Sequence, residues 1–75
     1  MKSREVNRRI ESLGGKETRQ VGSHRRYRAT TTDTDGNEHA VFTTVPQHSG
    51  EDIPLGTLRA IQRDLEEAFG KGWLL

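Results

Sequence analysis

The sequence predicts an α+β fold in which one helix precedes three antiparallel strands and a second helix follows them. Two observations carry that reading. Apolar residues recur at helical spacing at both ends of the chain, as Val6, Ile10 and Leu13 and as Leu58, Ile61, Leu65 and Ala68. Between them, strand-forming segments are separated by Gly22-Ser23 and by Asp33-Thr34-Asp35-Gly36-Asn37, both of which have turn chemistry. A three-stranded meander has one face for both apolar stripes to cover and leaves the other face bare.

The first helix is expected to be capped by Ser3, with Glu5 in its first turn set favourably against the helix dipole. Arg4, Arg8, Arg9 and Glu11 lie mostly off its apolar stripe. Gly14-Gly15 ends it, because glycine takes the left-handed conformation of a C-terminal cap without strain. Lys16 to Val21 reads as a short first strand, and His24 to about Thr30 as the second. His39 to Val45 forms the third, rich in β-branched and aromatic residues and closed by Pro46. Phe42, with Tyr27 or neighbouring aliphatic residues, is expected to fill the covered face. The last helix starts near Pro54 and runs to about Phe69, where Gly70 stops it. Residues 70–75 form a short tail whose Trp73, Leu74 and Leu75 are apolar enough to be expected back on the core. No repeat or second domain is visible, so 1–75 reads as a single domain.

Composition narrows the class. Only 29% of the 75 residues are hydrophobic, so the core must be thin, and the absence of cysteine removes disulfides and thiolate metal sites as supports. No apolar run reaches the length of a membrane span and no leader-like apolar segment follows Met1, so a cytoplasmic protein without membrane contact is expected. The net charge of +1 conceals a strong asymmetry: the chain through Arg28 carries nine Lys/Arg against three acids, and the remainder three against eight. Arg19, His24, Arg25, Arg26 and Arg28 fall within ten residues that contain no acid. Such local density suits a polyanion.

The segment Gly22-Ser23-His24-Arg25-Arg26-Tyr27-Arg28 concentrates the chemistry. Strand residues alternate sides, so His24, Arg26 and Arg28 share one face, and Arg25 and Tyr27 the other. An imidazole suits proton transfer near neutral pH, and guanidinium groups suit phosphate. On composition alone, His24 reads as a turn cap or a contact residue in preference to a catalyst, while Arg26 and Arg28 read equally as phosphate clamps or as solvated strand charge. Ser23 is explained by the turn, without an acid placed to make a nucleophilic triad of it. His39 has no assigned role, His48 reads as a surface histidine with a second acid/base beside His24 as the alternative, and the separations among the three histidines match no usual zinc spacing. No metal or cofactor is implied.

The order α-β-β-β-α is that of double-stranded-RNA-binding-like (dsRBD-like) domains. More specifically, the chain resembles the HicA family of toxins from type II toxin–antitoxin pairs. The resemblance rests on Gly22-Ser23-His24 with Tyr27, on Val45-Pro46-Gln47-His48, and on Asp52-Ile53-Pro54-Leu55-Gly56-Thr57-Leu58-Arg59-Ala60-Ile61. It covers most of residues 2 to 65. It implies a dsRBD-like fold with two helices on one face of the sheet and an mRNA-cleaving endoribonuclease activity, a metal-independent hydrolysis. It also implies that His24 is catalytic and that a HicB antitoxin covers the His24 face. With RNA as substrate, Ser23, Arg26, Arg28, Arg19 and Lys16 are the expected RNA-binding residues. The stretch from Thr30 to Glu38 is longer than the family's compact hairpin, and the tail after Ala68 lies outside the shared core. Two other classes fit the basic strand: a non-catalytic RNA-binding module, and a protein-interaction domain.

Overall fold

A computed structural model describes all residues, 1–75. Helix α1 (Ser3–Ser12) is followed by strands β1 (Lys16–Val21), β2 (His24–Thr32) and β3 (Glu38–Pro46), and then by helix α2 (Leu55–Phe69). The strands form one antiparallel sheet in the order β1-β2-β3. The expected α+β architecture is therefore the observed one, and β2, which carries the basic segment, is the central strand.

Both helices lie against one face of the sheet. Along β2, Tyr27 and Ala29 are buried while His24, Arg26, Arg28 and Thr30 are exposed; on β3, Thr43 and Val45 are buried. Val6 and Ile10 from α1, and Leu58, Ile61 and Leu65 from α2, close over these residues. The opposite face of the sheet is bare. Phe42 departs from expectation: it belongs to the bare face, directly across from Arg28 and 41% exposed. Alternation explains this, because Val41, Thr43 and Val45 are turned toward the helices and the residues between them must point away.

The end of α1 needs both of its glycines. Gly14 has φ +101°, which only glycine adopts without strain, and a Cβ on Gly15 would lie 2.3 Å from Ile10 Cγ2. At its start, Lys2 and not Ser3 is the capping residue. Its backbone N–H donates to Glu5 Oε1 at 2.9 Å, while Ser3 is buried within the first turn. Strand pairing also extends further than the sequence suggested, through Thr32 and back from Glu38. The long 30–38 connection thereby shrinks to a five-residue turn, in which Asp33 Oδ1 accepts from the N–H groups of Asp35 and Asn37, both at 2.9 Å.

The tail packs inward. Trp73 and Leu74 are buried, and the Trp73 ring meets Phe69 edge to face with centroids 5.2 Å apart. Trp73 Nε1 donates to the Gln62 carbonyl at 2.7 Å, and Arg9 Nε donates to the Trp73 carbonyl at 3.0 Å. These bonds tie the chain's end to both helices. No helix is long and apolar enough to cross a membrane.

Candidate functional site: a basic sheet face around His24

His24 opens β2 immediately after the tightest turn in the chain. Gly22 supplies φ +57° for the two-residue connection, after which Val21 pairs with His24. On the other side His24 pairs with Pro46, and the Gln47 N–H donates to the Ser23 carbonyl at 2.6 Å. Neighbours on both sides thus hold the His24 backbone, while its side chain stands exposed on the bare face.

The bare face gathers the basic residues into a block. Arg26 and Arg28 follow His24 along β2 at about 7 Å intervals, the two-residue strand repeat. Across the ladder, Arg19 pairs with Arg26 and Lys16 with Arg28, so both project from the same side. That arrangement depends on an irregularity. Residues three apart in a regular strand point opposite ways, but the pairing slips by one residue between Glu17 and Arg19. Thr18 occupies the slip, its hydroxyl donating to the Arg26 carbonyl at 3.3 Å. Lys16, Arg19, Arg26 and Arg28 form no salt bridge. Their charges and donors are free for a ligand.

Ser23 sits in the turn, half-buried, its carbonyl held by Gln47. Arg25 and Tyr27 face the helices, as alternation requires. The Tyr27 hydroxyl donates to Glu11 Oε2 at 2.5 Å, and Arg25 Nε donates to Gln20 Oε1 at 3.0 Å and lies 3.6 Å from Glu17 Oε1. Burial, with the Glu11 hydrogen bond adding to it, pushes the Tyr27 phenol up to about 12. Tyr27 is therefore a core residue, held protonated. His24 stands on the bare face, His39 pairs with Glu67 of α2, and His48 is exposed just after β3, two residues beyond Pro46, the partner of His24.

Two features were not legible as site features in the sequence. Phe42 joins the basic face, with the Arg26 guanidinium 4.7 Å from its ring centroid. On the helix side, Lys2, Arg4, Arg8 and Arg25 line a polar cleft with Asn7 and Gln47, whose amides hydrogen-bond each other at 2.8 and 3.2 Å. Arg4 and Arg8 read in sequence only as charges off the apolar stripe. The cleft forms because Gln47, from the loop after β3, reaches α1 across 40 positions of chain.

Fold and surface together define a small α+β protein that presents a cationic sheet face with one exposed imidazole. A family model described as the HicA toxin of bacterial toxin–antitoxin systems matches residues 3–68. The chain belongs to the HicA toxin family, and such a toxin has an antitoxin as its partner. No curated protein and no solved structure matches the chain.

Proposed function

We propose that this toxin is an endoribonuclease that cuts mRNA in the cytoplasm without a metal ion, so that translation and growth stop. The observation that carries the reading is His24: an exposed imidazole on the same strand face as Arg26 and Arg28, whose guanidinium groups have no acidic partner. Cleavage needs no protein nucleophile, because RNA carries its own. As the ribose 2′-oxygen forms its bond to phosphorus, the P–O5′ bond breaks; one proton leaves the 2′-hydroxyl and one is delivered to the departing 5′-oxygen. His24 performs one of these transfers as general base or acid, with water serving the other. Arg26 and Arg28 donate to the non-bridging oxygens as negative charge gathers on them. Arg19, Lys16 and Ser23 hold the flanking backbone.

In this reading a HicB-type antitoxin silences the toxin by covering the His24 face, where acidic side chains would find unpaired cations. The chain acts as one unit over 1–75, with the docked tail supporting the fold.

The test is cleavage of labelled RNA in EDTA by purified protein. His24→Ala is expected to lower the rate by at least about 100-fold, the ordinary contribution of a positioned acid or base, with an unchanged circular dichroism spectrum. Wild-type cleavage by a folded His24→Ala protein removes His24 from the chemistry. Binding without cleavage by the wild type makes the domain an RNA-binding module. Neither, together with tight protein binding, makes it an interaction domain.

A further inference from the structure

Phe42 is the aromatic side chain the fold does not use. Tyr27 and Trp73 are buried and Phe69 packs against Trp73, whereas Phe42 stands 41% exposed on the bare face. Its surroundings are cationic: Arg28 lies directly across the ladder, and the Arg26 guanidinium rests 4.7 Å from the ring centroid. The Arg26 guanidinium, itself flat and delocalised, covers a π face of the ring, and an aromatic base can take its place there.

We propose that Phe42 is a nucleobase-stacking platform, on which an unpaired base of single-stranded RNA lies while Arg26 and Arg28 hold the adjoining phosphates. The proposal rests on the RNA-cleaving reading and adds to it a subsite and a preference for unpaired substrate. Bases in a duplex are already stacked on both sides, so only an unpaired base can take the ring. Phe42 lies four residues along β3 from Pro46, the partner of His24. At the strand repeat this is about 13 Å from the His24 end. The base it takes therefore belongs to a nucleotide flanking the cut and not to the one being cut. On binding, the base occupies the place where the Arg26 guanidinium now rests, and the guanidinium moves to the phosphate or caps the base's outer side. One ring framed by guanidinium groups, with no carboxylate paired to them, matches an aromatic group carried on a phosphate chain better than an apolar protein surface.

The experiment uses His24→Gln protein, which should not cut its probe, and a fluorescein-labelled single-stranded RNA dodecamer, with binding read by anisotropy. Loss of one stacking contact predicts that Phe42→Leu weakens binding roughly 5- to 150-fold. Leucine keeps apolar bulk at an exposed position, so the fold persists. Phe42→Trp retains affinity and shows RNA-dependent fluorescence quenching beyond that of the buried Trp73. An abasic nucleotide scanned along the dodecamer weakens the parent at one position to the same extent, and adds nothing at that position when Phe42 is leucine. Parent-like binding by Phe42→Leu overturns the proposal. So does a loss that is insensitive to the abasic scan and accompanied by a shallower salt dependence, because Phe42 would then only orient Arg26. A Phe42→Leu effect on antitoxin binding alone also overturns it and assigns the ring to the protein interface. If only the stacking idea is wrong, Phe42→Leu in the otherwise native protein still cuts RNA at the parent rate; if the nuclease reading is wrong, the native protein does not cut RNA, whether or not it binds it.

Discussion

The two faces of this sheet come from the same strands and are built by opposite rules. On the helix-covered face, polar groups have partners: Thr43 Oγ1 donates to Asp64 Oδ2 at 2.9 Å, Tyr27 to Glu11 at 2.5 Å, and no buried side-chain nitrogen or oxygen is left without a hydrogen bond. On the bare face, Lys16, Arg19, Arg26 and Arg28 have no acidic partner. Burial makes an unpaired polar group expensive, whereas water solvates an exposed cation at little cost and leaves its donors available. Alternation lets these rules operate on adjacent residues, so that the buried Tyr27 stands between the exposed Arg26 and Arg28, which have no acidic partner.

The sharpest way to break that comparison is a pair of neighbouring substitutions. Tyr27→Ala removes a wholly buried ring and is expected to cost about 3–5 kcal/mol, a large part of what a domain this small has. Arg28→Ala, one residue away, should change stability by less than about 0.5 kcal/mol while lowering the salt dependence of RNA binding by about one phosphate contact. Urea denaturation followed by circular dichroism measures the first effect, and a salt titration of binding the second. Comparable losses of stability from both would refute the division into faces.

A smaller effect concerns the covered side at the exit of α1. Gly15→Ala places a methyl group 2.3 Å from Ile10 Cγ2, and overpacking of this kind costs about 1–3 kcal/mol. A thermal midpoint equal to the parent's would mean that α1 can shift away from the sheet freely.

The smallest effect is Tyr27→Phe, which keeps the ring and loses the hydroxyl's bond to Glu11, at about 1 kcal/mol. It also has a pH signature. An unfolded tyrosine ionises near 10.0 and the folded Tyr27 at about 12, so the unfolded chain releases its proton first. Stability should be insensitive to this group below pH 10 and fall as pH rises between the two values. Tyr27→Phe should remove that part of the alkaline decline; an identical decline in both proteins would mean that other groups govern it.

Much of this molecule was legible in its residues. Gly14-Gly15 marked a helix end, Gly22-Ser23 and the Asp33–Asn37 run marked the turns, two helical stripes marked the helices, and the period of two assigned His24, Arg26 and Arg28 to one side. These are local constraints, set by φ/ψ preference and side-chain direction, and they operate without reference to distant parts of the chain. Phe42 was misassigned to the core because hydrophobicity indicates what prefers burial, while register decides which side a residue faces. The helix-side cleft was hidden for a related reason: Asn7 and Gln47 meet only once the chain has folded.

Local preferences along the chain suffice for the element order, the turn positions and the side-by-side placement of an imidazole and two guanidinium groups on one strand. Tertiary structure alone decided how large the basic face is. The slip in pairing at Thr18 turns Lys16 to the same side as Arg19, and both helices choose the opposite face, leaving this one in water. The physical reason is that alternation is a property of one strand, whereas registry between strands and the choice of covered face depend on how all the elements minimise exposed apolar surface together.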